Sequence, residues 1–126
     1  MPLLAPPREV QRSIGPALPA FVRRVNAASW PSGVYATSWW RSPDWNRNVG
    51  GNAFSQHLGA LALDIGGTRD QLRGAVDAAR SVGLVAVDEG DHVHVQLLPA
   101  GVFGNWVQSL PVSLSAVFGH PDRLVG

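Results

Sequence analysis

The 126-residue chain has no cysteine and no lysine, and only 15% of its residues are charged. The absence of cysteine excludes disulfide bonds and thiolate metal ligands, so any metal site must use histidine and carboxylate groups. Ten arginines against nine acidic residues leave a net charge of +1, which is too small for a nucleic-acid-binding surface. The low charge, the 45% hydrophobic content and the length together indicate one compact domain.

Long hydrophobic runs are also missing from the sequence. Nothing approaches the ~20 apolar residues of a membrane-spanning helix. Residues 1–12 are rich in proline and carry Arg8, Glu9 and Arg12, so they lack the uninterrupted apolar segment of a secretory signal peptide. We therefore expect neither a membrane span nor a signal peptide.

The spacing of apolar residues along the chain predicts an α+β fold, a small antiparallel sheet with flanking helices. Apolar residues recur at three and four positions over residues 16–29 and 69–82, which is the spacing of an amphipathic helix. Thr68 and Gln71 predict a capping box at the start of the second helix. Alternating or short apolar stretches predict four strands, over residues 34–40, 60–65, 84–87 and 92–97.

Three of the four histidines fall in two short segments, Ser55–Asp64 and Asp91–His94. Neutral imidazole and carboxylate are the usual protein ligands of a zinc ion that keeps one coordination position open for water. His57 and Asp64 are seven residues apart in the sequence, so they do not share a helical face. They can converge from a loop and the strand after it, with His94 on a neighbouring strand. The two segments therefore predict a metal site.

Three motifs, which follow one another along the chain as they do in the family, resemble the zinc peptidases of the D-alanyl-D-alanine carboxypeptidase type. This is the peptidase M15 family, which shares its core fold with the hedgehog signalling domain. The pattern SxHxxGxAxD is matched by Ser55, His57, Ala62 and Asp64. An acid three residues before a ligand histidine is matched by Asp91 and His94, and the segment YRSPxxN by residues 40–46. One position departs from the pattern, because Ala60 stands where the family has glycine and Gly59 lies one place early.

The resemblance implies a zinc ion held by His57, Asp64 and His94. Asp91 would be the general base that takes a proton from the attacking water and delivers it to the leaving amine. In a regular strand Asp91 would point away from His94, so we expect it to lie in the turn before the strand. Glu89 in the same turn is the alternative base.

Four more residues are implied to assist the reaction. His92, near the metal but not bound to it, would stabilise the oxyanion. Arg41 would hold the carbonyl or carboxylate of the substrate, a task that suits a planar guanidinium. Ser55 and Gln96 would hold the metal ligands in orientation.

Each of these residues also has a purely structural interpretation. Asp64 could cap the glycine turn that follows it, and His92 could be a solvated strand residue. Arg41 could stack on a neighbouring tryptophan in a cation–π arrangement. His120, near the end of the chain, is expected to be exposed and without a role.

The function implied by the resemblance is hydrolysis of a bacterial peptidoglycan peptide, as a carboxypeptidase or an endopeptidase. Without a signal peptide the protein would stay in the cytoplasm until lysis or be carried on a phage or virion. The alternative is a structural virion or assembly protein that reuses the fold. Residues 16–98 would form the peptidase-like domain, 1–15 an extension, and 99–126 a C-terminal arm that packs on the domain or docks a partner.

Overall fold

The computed structural model describes residues 3–120. It contains six helices, four strands and two 3-10 turns, and the predicted α+β fold is confirmed. The helices are α1 (Arg8–Ile14), α2 (Ala17–Ala27), α3 (Pro43–Asn48), α4 (Arg69–Ser81), α5 (Val102–Ser109) and α6 (Val112–Ser115). The strands are β1 (Tyr35–Ser38), β2 (Ala62–Gly66), β3 (Val85–Asp88) and β4 (Val93–Gln96), and the 3-10 turns span Gln56–Gly59 and Ala116–Phe118.

The four strands form one antiparallel sheet in the order β1-β2-β4-β3. β2 is an inner strand, and all five of its residues are buried. Its register pairs Asp64 with Ser38 on one side and with His94 on the other. Directly opposed residues on neighbouring strands have their Cβ atoms ≈ 4.5–5.5 Å apart, so this register alone brings two of the predicted metal ligands together.

The predicted helices are present with their predicted boundaries to within two residues. The capping box of α4 is formed, since the Thr68 hydroxyl accepts from the Gln71 backbone and the Gln71 side chain accepts from the Thr68 backbone. Leu72 and Ala75 on α4 are buried in the core, as the apolar spacing predicts. No helix among the described residues is long and apolar enough to cross a membrane.

The two ends of the described chain contribute to the same core as the middle. Val10 and Ile14 of α1 are buried in it, and so are Phe103 and Val107 of α5. Phe118 is also fully buried. The division of the chain at residues 16 and 98 remains a prediction from the sequence, but apolar side chains from both flanking segments are covered by this chain itself.

The structure of the turn Gln56–Gly59 explains why the motif glycine stands one place early, at Gly59. A Cβ atom on Gly59 would lie 2.7 Å from Ile14 Cδ1 and 2.8 Å from Phe103 Cε1, so glycine is needed there for α1 and α5 to approach. The next residue, Ala60, has φ +60° and is the one non-glycine residue of 3–120 in the left-handed region. For a residue with a Cβ this conformation costs roughly 1–2 kcal/mol.

We expect opposite behaviour from two small substitutions in this turn. Gly59→Ala should lower the free energy of unfolding by about 1–3 kcal/mol, because the added methyl group overpacks a buried contact. Ala60→Gly should change it by less than about 1 kcal/mol, since relief of backbone strain offsets the loss of one buried methyl group. Urea denaturation of both variants tests this, and an equal loss in both would contradict the explanation.

Candidate metal centre

The candidate metal centre is built around the Asp64 carboxylate in the middle of β2. His57 approaches it from the turn that precedes β2, with Nε2 3.1 Å from Asp64 Oδ1. His94 approaches it from β4, with Nδ1 3.2 Å from the same oxygen. One potential ligand atom from each of the three residues lies within 4.8 Å of the others. The structure therefore places together the three residues that the sequence predicts as metal ligands.

Hydrogen bonds on the outer side of each imidazole determine which nitrogen faces Asp64 with a lone pair. His57 Nδ1 lies 2.6 Å from the carbonyl oxygen of Trp39, which can only accept, so this nitrogen carries the proton. The amide of Gln96 donates to the carbonyl oxygen of Leu98 at 2.8 Å, and its own oxygen therefore faces His94 Nε2 at 2.7 Å. His94 Nε2 accordingly carries the proton when the ring is neutral, and Nδ1 is the free nitrogen.

Two imidazole lone pairs and a carboxylate oxygen thus point at one another in the neutral state of both rings. Three acceptors at these distances need a cation between them, either a proton or a metal ion. Two nitrogens and one oxygen are a ligand set that suits zinc with one coordination position left open. The residues present could therefore hold a metal ion, and their chemistry fits the ion that the sequence predicts.

The charges around Asp64 favour its ionised form. Burial raises the pKa of Asp64. Hydrogen bonds to His57 and His94 and the charges of His57 and Arg41 lower it by more, so the pKa of Asp64 lies well below its usual value. Burial lowers the pKa of His94, but its bonds to Asp64 and Gln96 and the charges of Asp64 and Glu89 outweigh this, so that it lies above its usual value. The raised pKa favours the protonated form of His94, which can supply the cation between the three acceptors when no metal ion is bound.

Arg41 is part of the centre and is engaged by polar groups. Its Nη2 lies 2.7 Å from Asp64 Oδ2, and its Nε donates to the Ser38 hydroxyl at 3.2 Å. The ion pair occupies one carboxylate oxygen and leaves the other to the two imidazoles. The Arg41 backbone also donates to the His57 carbonyl oxygen at 3.0 Å, which ties the arginine segment to the ligand turn. The second predicted orienting residue, Ser55, caps that turn because its hydroxyl accepts from the His57 backbone at 3.2 Å.

The two candidate bases lie in the turn between β3 and β4, outside the strands as expected for Asp91. Asp91 Oδ1 accepts from His92 Nδ1 at 2.7 Å, and this hydrogen bond lowers the pKa of Asp91. His92 Nε2 lies 3.9 Å from Asp64 Oδ1, next to the candidate ligands. Asp91 itself is 90% exposed and does not line the cavity at the centre, whereas Glu89 does. Asp91 is thus the acid that is bonded to His92, whereas Glu89 is the acid that lines the cavity.

Two contributors to the site have no signal in the sequence motifs. The Trp39 carbonyl oxygen fixes the His57 tautomer, and a main-chain group leaves no residue-type signature. Gln56 is buried, and its amide forms two hydrogen bonds with the backbone of Leu98, at 2.8 and 3.0 Å. It thereby anchors the carbonyl group that orients Gln96. Only its position directly before His57 in the sequence could have suggested that Gln56 belongs to the site.

The expectation for His120 is wrong. Its side chain is 5% exposed and stacks on Phe54, with ring centroids 4.3 Å apart. Phe54 in turn packs against Gly104 of α5, where an added Cβ would lie 3.1 Å from the phenylalanine. The His120 ring is covered because the chain after α5 folds back onto the loop before the ligand turn. This contact joins segments far apart in the sequence, so no local hydrophobic pattern predicts it.

An open cavity of about 750 Å³ borders the centre and reaches solvent. His57, Asp64 and His94 line it together with Arg41 and His92. The cavity thus leaves room for a substrate beside two imidazoles and a carboxylate that could hold a metal ion.

Comparison with known families gives the class a name. A family model described as Peptidase M15 matches residues 10–96. The chain belongs to the peptidase M15 family, and the resemblance carried by the three motifs is confirmed. No curated protein and no solved structure gives a significant match to the chain.

Gln96 offers a test of the tautomer argument. We expect Gln96→Leu to weaken zinc binding about 10–100-fold, the usual cost of removing a hydrogen-bond partner of a metal-bound histidine. Its fold should persist, because Gln96 is only half-buried at the end of β4. Competition with a zinc chelator measures the affinity. Gln11→Leu, a matched change on the exposed face of α1, should leave the affinity unchanged, and equal affinities in all three proteins would contradict the argument.

Proposed function

We propose that this protein is a zinc-dependent peptidase that hydrolyses peptides of bacterial peptidoglycan. Membership of the peptidase M15 family supports the peptidase class, and the cell-wall substrate extends the motif resemblance. The observation that carries the metal requirement is the convergence of His57 Nε2 and His94 Nδ1 on one oxygen of Asp64. Both nitrogens are freed for a metal by hydrogen bonds on the opposite side of their rings.

Zinc bound by these three residues would polarise a peptide carbonyl and lower the pKa of a water molecule toward ~7. Arg41 orients Asp64 and contributes to keeping it ionised, and its Nη1 makes no hydrogen bond within residues 3–120. The cavity-lining guanidinium therefore has donors left for a substrate oxygen. Arg41 can hold a carbonyl or a terminal carboxylate of the substrate through Nη1 while its Nη2 stays paired with Asp64.

His92 and Asp91 act as a pair in this proposal. The Asp91 carboxylate accepts from His92 Nδ1 and holds the ring so that Nε2 lies next to Asp64, the position from which we assign His92 to stabilise a developing oxyanion. The hydrogen bond from His92 lowers the pKa of Asp91, which keeps the carboxylate ionised but makes it a weaker base than a free aspartate. We assign it the role of general base from its spacing to His94, and Glu89, which lines the cavity, is the competing assignment.

Two charge-removing substitutions distinguish the bases. Asp91→Asn should retain zinc and lose about 10²–10⁴-fold in turnover, the usual size of a general acid–base contribution. Glu89→Gln should have a much smaller effect. The assay is release of D-alanine and of new amino groups from purified peptidoglycan, with metal content measured in parallel. The reverse ranking would transfer the role of base to Glu89.

The same assay separates an enzyme from a structural protein. Wild-type protein with about one zinc per chain should cleave wall peptides, and removal of the ion with a chelator should abolish cleavage. If zinc-loaded protein releases nothing from peptidoglycan while the ion still raises the melting temperature, the metal is structural. The alternative of an assembly protein that reuses the fold would then replace the proposal.

A further inference from the structure

The cavity next to the candidate metal centre is larger than one peptide bond requires. Its volume of about 750 Å³ lies in the range of sites that enclose a drug-sized molecule. Part of its wall comes from α5, through Phe103, Gly104, Asn105 and Gln108. This helix follows the region 10–96 that the family model matches. The C-terminal part of the chain therefore shapes the space available to a substrate.

The wall supplied by α5 differs in charge from the rest of the cavity. Arg41, Asp64 and Glu89, the lining residues that carry a fixed charge, all lie outside this helix. Phe103 of α5 is buried in the core, whereas Asn105 and Gln108 are exposed and also line the cavity. The helix thus presents neutral, polar side chains on this side, which favours uncharged hydrogen-bonding groups over carboxylates or amines.

The two side-chain amides lie next to each other on the surface of α5. Asn105 and Gln108 are three residues apart on one helix, so their Cβ atoms are about 5–6 Å apart. Neither side chain forms a hydrogen bond within residues 3–120. Each carboxamide can both donate and accept, which is the complement of a secondary amide group.

We propose that α5 forms a substrate subsite in which Asn105 and Gln108 bind secondary amide groups at a distance from the bond that is cleaved. This inference rests on the proposed peptidase function and extends it to an elongated substrate. Secondary amides occur both in peptide backbones and in the acetamido groups of wall sugars, and the two sources share the chemistry that these side chains recognise.

The test compares substrates of different length in the double variant Asn105→Ala/Gln108→Ala. Zinc-loaded protein is assayed on a blocked dipeptide, on the free wall stem pentapeptide, and on the same pentapeptide attached to its disaccharide. We expect kcat/KM to fall about 10-fold on the pentapeptide through KM, as for the loss of two neutral hydrogen bonds, and to stay unchanged on the dipeptide. A larger fall only on the disaccharide-linked substrate would identify the acetamido groups as the ligand.

A matched control is Asn48→Ala, since Asn48 is an exposed amide that does not line the cavity. It should behave as wild type on all substrates. Equal losses of the double variant on dipeptide and pentapeptide, or no loss on any substrate, would overturn the subsite.

A binding measurement keeps this inference separate from the proposed activity. The pentapeptide is added to zinc-loaded wild-type protein, and the side-chain NH₂ resonances of Asn105 and Gln108 are followed by NMR. Shifts at these two amides in a protein that cleaves nothing would support the subsite while the peptidase proposal fails. Unchanged resonances at saturating concentrations of both the pentapeptide and its disaccharide-linked form would overturn the subsite whatever the activity.

Discussion

The structure of the site depends on how one buried carboxylate divides its two oxygens. Asp64 Oδ2 is paired with Arg41 at 2.7 Å, and Oδ1 faces the inner nitrogens of His57 and His94. A charged group at this depth is costly unless it is paired and hydrogen-bonded. The guanidinium meets part of that requirement permanently, and the other oxygen is left for a proton or a metal ion. The sheet register that sets Asp64 opposite His94 makes this division possible.

The ligand turn is held in place by groups on either side of it. The indole N–H groups of Trp39 and Trp40 donate to the carbonyl oxygens of Ala60 and Leu58, at 2.8 and 3.2 Å. The left-handed conformation of Ala60 then directs the chain from the turn into β2. Tryptophans next to Arg41 therefore fix the position of the turn that carries His57, which explains a structural role for aromatic residues in the arginine segment.

Much of this arrangement follows from the sequence, because it depends on strand periodicity. Alternation along β4 places His94 and Gln96 on the same face, and the motif spacing places His57 just before the strand that carries Asp64. The tautomers do not follow, since main-chain carbonyl groups such as that of Trp39 carry no residue signature. The choice between Glu89 and Asp91 depends on the conformation of a turn, and hydrophobic pattern does not specify it. The burial of His120 depends on Phe54, a contact between segments far apart in the sequence.

The outer hydrogen bonds leave one nitrogen of each histidine free for the proposed zinc ion. The most direct measurement is a crystal structure of the zinc-loaded protein with anomalous diffraction recorded at the zinc edge. We expect a single peak bound by His57 Nε2, His94 Nδ1 and one oxygen of Asp64, with Zn–N distances of about 2.0–2.1 Å. Zinc bound through His94 Nε2, a peak centred on His92, or no peak at Asp64 would contradict it.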